Sequence, residues 1–183
     1  WGKEKNFIYK FIIKRISFFI CMRHFTMKNL KKKYNLQNKK FFLLPNCIKV
    51  KKFKILNKKK NKNVITVARL DSEEKYKGVD ETLEAIALLK KINFYYFVVG
   101  DGNDKERLIQ KTKNLKLTNN VIFLGKVSNN KRSKLFQNSS IISMPGSAKA
   151  HDTYPFRFAF LEAAEFGLKI IGSYPPIKFE RNV

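Results

Sequence analysis

Two basic side chains eight positions apart, Arg69 and Lys77, have the types needed to bind a diphosphate. Arginine offers a planar fork of N–H donors and lysine a compact point charge, and both suit phosphate oxygens. An acidic stretch separates the two cations, and Gly78 follows Lys77, where it would let the backbone turn into a helix. Two solvated surface cations are the simpler alternative. As a candidate catalytic pair, they would neutralise the charge that grows on a departing diphosphate.

A second group of candidates surrounds a predicted helix that begins near Arg157 and Phe158. A helix N-terminus attracts anionic oxygens through its free N–H groups and its dipole. Glu162 lies about one turn inside this helix, where a carboxylate would accept hydrogen bonds from ribose hydroxyls. The alternative is that an acidic residue there merely suits the helix dipole. His151 precedes the helix and is interpreted as an ordinary loop histidine, because the sequence offers it no orienting partner.

Three glycines mark further turns that a ligand could approach. Gly100 and Gly102 form the first part of a dinucleotide-binding fingerprint, but the third glycine of that pattern would fall at Lys105. The sequence therefore does not support an NAD site, and a tight turn explains the two glycines equally well. Gly125 would give a flat nucleotide base close access to the backbone, or would simply be a turn.

All of these candidates follow short apolar runs that are typical of buried strands, and the segments between the runs have helical periodicity. Asp80 and Ser128 are predicted N-caps of two of the helices. Strands and helices in alternation predict an α/β fold with a Rossmann-like, doubly wound parallel sheet. The candidates should then share the ligand-binding edge of the sheet, beyond the carboxyl ends of the strands. The predicted strands are Val64–Ala68, Phe94–Val99, Val121–Leu124, Ile141–Met144 and Leu168–Ile171.

The net charge of +25 is distributed unevenly along the 183 residues. Residues 1–63 carry 20 Lys and Arg but one acid, whereas residues 64–183 carry 19 basic and 13 acidic residues. We interpret residues 1–48 as the tail of an N-terminal, acceptor-binding domain and residues 49–63 as a basic connector. The third part, 64–183, is the Rossmann-like domain, incomplete at its C-terminus. The basic residues would form solvated helix faces, a footing on anionic lipid or a nucleic-acid surface, although no nucleic-acid motif accompanies them.

Composition excludes several classes of protein. A content of 44% hydrophobic residues excludes wholesale disorder. Cys21 and Cys47 have no second thiol nearby, which excludes a disulfide framework and a paired-cysteine zinc site and suggests a reducing compartment. The apolar run from Phe7 to Met22 is interrupted by charges, so a membrane span and a signal peptide are not expected. These features predict a cytoplasmic protein.

Taken in order, the motifs resemble those of the nucleotide-sugar-binding, C-terminal half of a GT-B glycosyltransferase of family four, the group 1 glycosyltransferases. Leu44-Pro45-Asn46-Cys47-Ile48 resembles the Pro-Asn-Gly segment that joins the two domains of that family, with Cys47 in place of the glycine. The other motifs are Val67-Ala68-Arg69-Leu70, Lys77-Gly78-Val79, Val98-Val99-Gly100-Asp101-Gly102, Val121-Ile122-Phe123-Leu124-Gly125, and Leu161-Glu162-Ala163 followed by Gly167 and Ile170-Ile171.

The resemblance implies a retaining transfer of a hexosyl-type sugar from a nucleoside diphosphate donor, with no cofactor and no obligatory metal. Glu162 matches the second glutamate of the family's Glu-x7-Glu motif, which holds the donor ribose. The first glutamate would fall at Tyr154, and Asp152 is the nearest acid that could replace it. The residues implied in donor binding are Gly100, Gly102, Gly125, Asp152, Arg157, Phe158 and Glu162.

The expected function is therefore that of a glycosyltransferase fragment that builds a surface polysaccharide or a lipid-linked glycan. Its expected partners are a nucleotide-sugar donor, a glycan or lipid-linked acceptor and an anionic membrane surface on the inner face of the cell membrane, without specific nucleic acid. We expect the 183 residues to bind nucleotide but not to complete the transfer, because the acceptor domain is mostly missing. The alternatives are a basic module that binds nucleic acid or anionic lipid without catalysis, and an inactive remnant with the same fold.

Overall fold

The chain forms two compact units, Trp1–Cys47 and Ile48–Val183. The boundaries expected from the sequence, at residues 48 and 63, stay predictions, because most of the basic connector lies outside the described residues. The computed structural model describes residues 7–22, 24–45, 61–89, 91–146 and 158–172.

The smaller unit contains two parallel strands and two helices. Its strands pair with Phe18 opposite Lys40, and the rings of Phe19 and Phe41 stack with their centroids 4.8 Å apart. The two apolar runs and the helical spacing between them predicted a strand, a helix and a second strand here, and all three are confirmed. The elements are α1 (Phe7–Arg15), β1 (Phe18–Cys21), α2 (His24–Tyr34) and β2 (Lys40–Leu43).

The larger unit is built on a parallel sheet, and this confirms the predicted Rossmann-like α/β fold. The order of the described strands is β5-β4-β3-β6-β7, so the chain moves outward in one direction and then restarts beside β3 in the other. The point of reversal lies between β3 and β6, and ligands bind at such points in open α/β sheets. The strands are β3 (Asn63–Val67), β4 (Tyr96–Val99), β5 (Val121–Gly125), β6 (Ser139–Met144) and β7 (Lys169–Gly172).

Helices cover both faces of this sheet. Neighbouring residues of a strand point to opposite faces, and accordingly Val64 packs in one apolar cluster and Ile65 in the other. The first cluster takes its helical residues from α3 and α4, and the second takes them from α5 and α6. The helices are α3 (Val79–Ala87), α4 (Lys105–Asn114), α5 (Asn129–Gln137) and α6 (Phe158–Glu165), and a 3-10 segment spans Ser72–Lys77.

One of the two predicted helix caps is confirmed and the other is wrong. Ser128 is the N-cap of α5, and its hydroxyl accepts a hydrogen bond from the amide of Lys131 at 3.3 Å. The N-cap of α3 is Gly78 and not Asp80. Gly78 has φ of 82°, a left-handed conformation that suits glycine, so the helix already begins at the next residue and Asp80 falls in its first turn.

None of the helices in the described part of the chain has the length and apolar character needed to cross a membrane.

Candidate functional site

The carboxyl ends of β3 and β6 meet at the crevice where the strand order reverses. The helix α3 begins at this crevice, because Gly78 lies directly against the backbone of Pro145, which follows β6. A Cβ atom at residue 78 would overlap that backbone, so the close approach requires glycine. The loop that carries Arg69 and Lys77 therefore lies at the crevice, as the sequence predicted.

Arg69 and Lys77 converge on one carboxylate, that of Glu74. The Arg69 guanidinium donates a hydrogen bond to Oε1 of Glu74, and the Lys77 ammonium lies 3.7 Å from Oε2. The Arg69 side chain is 73% exposed, whereas that of Glu74 is 12% exposed. The two candidate cations are thus brought together as expected, but around an anion that the sequence analysis missed. The spacing of Glu74, three residues before Lys77, was the available signal, since residues three apart face each other on a helical turn.

A shallow pocket contains this cluster, and its lining carries more acidic than basic residues. The carboxylates lie at residues 71, 74, 80 and 104, against two cations. Arg107 and Lys111, which are outside the lining, compensate two of these acids. The full lining is Arg69, Leu70, Asp71, Glu74, Lys77, Val79, Asp80, Asp104 and Leu108.

A second ion cluster joins α3 to the start of α4. Arg107 donates to both carboxylate oxygens of Asp80, at 2.9 and 2.6 Å, and also to Asp104 at 2.6 Å. Lys111 donates to Asp80 at 2.7 Å and to Glu84 at 2.6 Å. The hydrogen bond from Arg107, more than any other influence, lowers the pKa of Asp80 to about 2. The same contacts raise the pKa of Arg107. The sequence analysis assigned no role to these basic residues, because the partners on α3 and α4 lie far apart in the chain.

A buried polar network underlies the crevice. The Thr66 hydroxyl lies 2.8 Å from the Tyr96 hydroxyl and also donates to the Ser143 carbonyl oxygen. The hydroxyls of Ser143 and Thr82 are 2.9 Å apart, and Thr82 donates to the carbonyl of Gly78 at 2.7 Å. Burial raises the pKa of Tyr96, so its phenol stays neutral. The network joins three strands of the sheet to the first turn of α3 and fixes the residue next to Lys77.

Gly100 and Gly102 allow the loop after β4 to lie against the loop after β3. A Cβ atom at Gly100 would overlap the carbonyl oxygen of Ala68, and one at Gly102 would overlap that of Leu70. The two loops are also joined by a hydrogen bond of 3.0 Å from the Leu70 amide to the Asp101 carbonyl. These contacts support the tight-turn interpretation of the two glycines, and a direct role in donor binding stays a prediction.

Gly125 ends β5 with φ of 63°, and its carbonyl accepts a hydrogen bond of 2.9 Å from the Gly100 amide. The ammonium of Lys105 lies 3.5 Å from the Asp101 carboxylate and 4.0 Å from the position that a Cβ atom of residue 125 would occupy. Lys105 stands where the dinucleotide fingerprint would have its third glycine. The loops after β4 and β5 therefore share one edge of the sheet, as predicted, and this edge carries a lysine that the sequence analysis had not selected.

The remaining candidates belong to α6 and to the segment before it. Glu162 is half-buried and forms an ion pair with Arg132 of α5, with 2.9 Å between Oε1 and Nη2. Phe158 is the first residue of α6 and is 53% exposed. Asp152 and Arg157 lie outside the described residues. Ribose binding by Glu162 stays a prediction and would require the carboxylate to share or release Arg132.

The described ranges hold no group of three or more His, Cys, Asp or Glu side chains arranged to bind a metal ion. The expectation that transfer needs no metal is not tested by this and stays a prediction.

Fold and site together define a Rossmann-like α/β domain with a cationic loop at its switch point, which is the architecture of a nucleotide-binding half-enzyme. Residues 48–177 match the model of the family described as "Glycosyl transferases group 1", and the chain belongs to this family. The resemblance seen in the sequence motifs is therefore confirmed.

A curated relative is a phosphatidylinositol N-acetylglucosaminyltransferase protein of Arabidopsis thaliana, which is 28% identical over 176 residues. The match covers 92% of this chain but 37% of that protein. The chain thus spans little more than a third of the relative's length.

Solved glycosyltransferases share the fold. A glycosyltransferase from Rickettsia africae superposes with a TM-score of 0.68 at 19% identity and covers 91% of this chain and 48% of its own. WaaG, a glycosyltransferase involved in lipopolysaccharide biosynthesis, gives 0.64 at 23% identity, with 92% and 51% covered. The pneumococcal O-GlcNAc transferase GtfA, solved with UDP and GlcNAc, gives 0.63 at 17% identity, with 92% and 32% covered.

Proposed function

We propose that this chain is the donor-binding part of a retaining glycosyltransferase that uses UDP-N-acetylglucosamine and glycosylates a phosphatidylinositol-type lipid. The observation that carries the proposal is the pair Arg69 and Lys77, held together at the switch point of a group 1 glycosyltransferase domain. The sugar and acceptor are suggested by the name of the Arabidopsis thaliana relative, and the UDP and GlcNAc in the GtfA complex support the same donor. We favour a lipid-linked acceptor over a surface polysaccharide for this reason.

In this mechanism Arg69 and Lys77 bind the two phosphates of the donor. Negative charge grows on the diphosphate as the bond to the sugar breaks, and the two cations stabilise it. A metal ion does this work in many other enzymes, and the paired cations make it unnecessary here. Glu162 accepts hydrogen bonds from the ribose hydroxyls, and Asp152 replaces the missing first glutamate near the sugar.

Nucleotide binding by the 183-residue chain tests the proposal. UDP, GDP, ADP and UDP-N-acetylglucosamine are each titrated by calorimetry, and thermal stability is followed in parallel, because a ligand that binds the folded state must raise it. We expect UDP and its sugar derivative to bind most tightly and Arg69→Ala or Lys77→Ala to weaken both by about tenfold or more. Lys113→Ala is the matched control, since this exposed lysine lies in the last turn of α4. Equal affinities of Arg69→Ala and Lys113→Ala would remove the basis of the proposal.

We also propose that the smaller unit rests on an anionic membrane surface. Helix α1 exposes the apolar side chains Phe11 and Ile12 beside the basic residues Lys10, Lys14 and Arg15. A basic residue near an anionic surface contributes about 1 kcal/mol, and apolar side chains insert at the headgroup boundary. A peripheral position of this kind would place the enzyme beside a lipid acceptor.

Vesicle co-sedimentation tests this second proposal. We expect the chain to sediment with vesicles of phosphatidylserine and phosphatidylcholine in about 0.1 M salt, to bind pure phosphatidylcholine weakly and to be released by about 0.5 M salt. Substitution of both Lys14 and Arg15 by glutamate should reduce binding more than the same change at Lys113 and Lys116. Strong binding of duplex DNA with a steep salt dependence, and none to vesicles, would favour a nucleic-acid module instead.

A further inference from the structure

Glu74 occupies the position between the two cations that the mechanism assigns to the donor diphosphate. One of its oxygens accepts a hydrogen bond from Arg69, and the other lies 3.7 Å from the ammonium of Lys77. Within the described residues, this second oxygen is buried and accepts no hydrogen bond. A buried carboxylate in this state is stabilised mainly by the charges around it, so it has a strong need for its cations.

The protein backbone holds Glu74 in this position. The Glu74 amide donates to the Asp71 carbonyl at 2.8 Å, and the residue lies at a kink of the 3-10 segment, with φ of −109° and ψ of 25°. The same segment is tied to the loop after β4 by a hydrogen bond of 2.8 Å from the Ser72 amide to Asn103. The anion is therefore fixed and almost buried, whereas the Arg69 guanidinium is 73% exposed and has room to move.

We propose that Glu74 is an internal counter-anion of the site, which the donor diphosphate displaces from Arg69 when it binds. This inference rests on the proposed function, because it concerns the same two cations. Binding is then an exchange of anions, in which Arg69 turns from the carboxylate to a phosphate while Glu74 remains below it. The nucleotide-free site is kept compact and electrically balanced, and the donor binds less tightly than two uncompensated cations would allow.

The cost of this exchange can be estimated from the geometry. A carboxylate that stays about 5 Å from the bound phosphate repels it, and at an effective dielectric constant of about 50 the repulsion weakens binding by about tenfold. Glutamine has the same shape and still accepts a hydrogen bond from Arg69, but it carries no charge. Glu74→Gln should therefore lower the Kd of the nucleoside diphosphate by about tenfold.

A purely structural role predicts the opposite result. If Glu74 only positions Arg69 and Lys77, the loss of its charge should leave the cations less ordered and should weaken binding. The direction of the change in Kd therefore separates the two roles.

The experiment compares Glu74→Gln with Glu73→Gln in the full chain. Glu73 lies in the same turn and is exposed, so its substitution removes the same charge without changing a contact to either cation in the described structure. Calorimetric titrations use UDP and, as a probe without phosphate, uridine; GDP and guanosine or ADP and adenosine replace them if one of these diphosphates binds more tightly. We expect the affinity for the diphosphate to rise about tenfold in Glu74→Gln and less than twofold in Glu73→Gln, with the affinity for the nucleoside unchanged in both.

Two further variants complete the test. In the Arg69→Gln background, Glu74→Gln should increase the affinity much less, because the exchange has lost its cation. Circular dichroism and the melting temperature establish that each variant is folded, and Glu74→Ala replaces Glu74→Gln if the latter is not.

The possible outcomes separate the inference from the proposed function. If the unmodified chain binds a nucleoside diphosphate through Arg69, but Glu74→Gln binds it equally or less tightly, the inference is wrong and the proposed function stands. If neither the unmodified chain nor Glu74→Gln binds any of the three diphosphates, the proposed function fails and the inference fails with it.

Discussion

Asp80→Asn is expected to destabilise the larger unit, with an effect that depends on pH. Asp80 receives three hydrogen bonds from Arg107 and Lys111, and those from Arg107 are the main reason why its pKa falls from 3.8 to about 2. A shift of nearly two units corresponds to about 2 kcal/mol, after an allowance for the partial exposure of the group to solvent. We therefore expect the substitution to lower the free energy of unfolding by about 2 kcal/mol at neutral pH.

The pH dependence follows from the direction of the shift. Because the pKa of Asp80 is lower in the folded state, the unfolded chain binds a proton more readily, and folding gains stability wherever the carboxyl is ionised. This contribution is complete above about pH 5, falls to about half near pH 3 and is almost lost near pH 2. The difference in unfolding free energy between the variant and the unmodified chain should shrink over the same range.

Urea unfolding followed by hydrogen-exchange mass spectrometry of peptides from α3 and α4 measures this difference, because these peptides report on the larger unit alone. Glu106→Gln is the matched control: Glu106 is an exposed acid in the first turn of α4, and its loss should change the stability by a few tenths of a kcal/mol. The reasoning is refuted if Asp80→Asn and Glu106→Gln have equal effects at pH 7, or if the effect of Asp80→Asn is the same at pH 7 and pH 3.

Three further substitutions test the framework around the site. Gly100→Ala should destabilise the larger unit by about 3 kcal/mol, because φ is 135° and the new Cβ would overlap the Ala68 carbonyl oxygen; a thermal melt within a degree of the original would contradict this. Thr66→Val should cost about 1–3 kcal/mol in urea unfolding, because it removes the hydroxyl that joins the Tyr96 hydroxyl to the sheet, whereas Thr66→Ser, which keeps that hydroxyl, should cost less. Ser128→Ala should cost about 1 kcal/mol through loss of the N-cap of α5, whereas Ser128→Asp should retain most of the stability, and equal losses in the two variants would count against the cap.

The fold could be predicted because its signals are local. Val64 to Val67 is a continuous apolar and β-branched run, which is typical of a strand covered on both faces, and the helices between such runs carry apolar residues at helical spacing. Right-handed crossovers then leave few ways to arrange parallel strands. The position of the site follows from the same argument, because the loops after β3 and β6 must meet where the order of the strands reverses.

The details of the site could not be predicted, because they depend on distances that the sequence does not contain. The Asp80 carboxylate serves the α3–α4 interface, and its partner Arg107 is 27 residues away in the chain, so it was mistaken for a helix cap. The true cap, Gly78, is required by Pro145, a residue 67 positions further along the chain. Glu74 was overlooked because an acidic stretch between two cations is usually solvated, and only the fold shows that its side chain is almost buried.

The charges around the crevice bear on which anions the site selects. The chain as a whole carries a charge of +25 and attracts any anion from a distance, but the crevice is lined by more acids than bases. If Glu74 is the internal counter-anion, a ligand with one negative group gains little, because it exchanges one anion for another at Arg69. A diphosphate has a second group for Lys77 and keeps a net gain after the exchange. The acidic lining would then favour diphosphates over monophosphates, and UMP should bind much more weakly than UDP to the unmodified chain, with a smaller difference in Glu74→Gln.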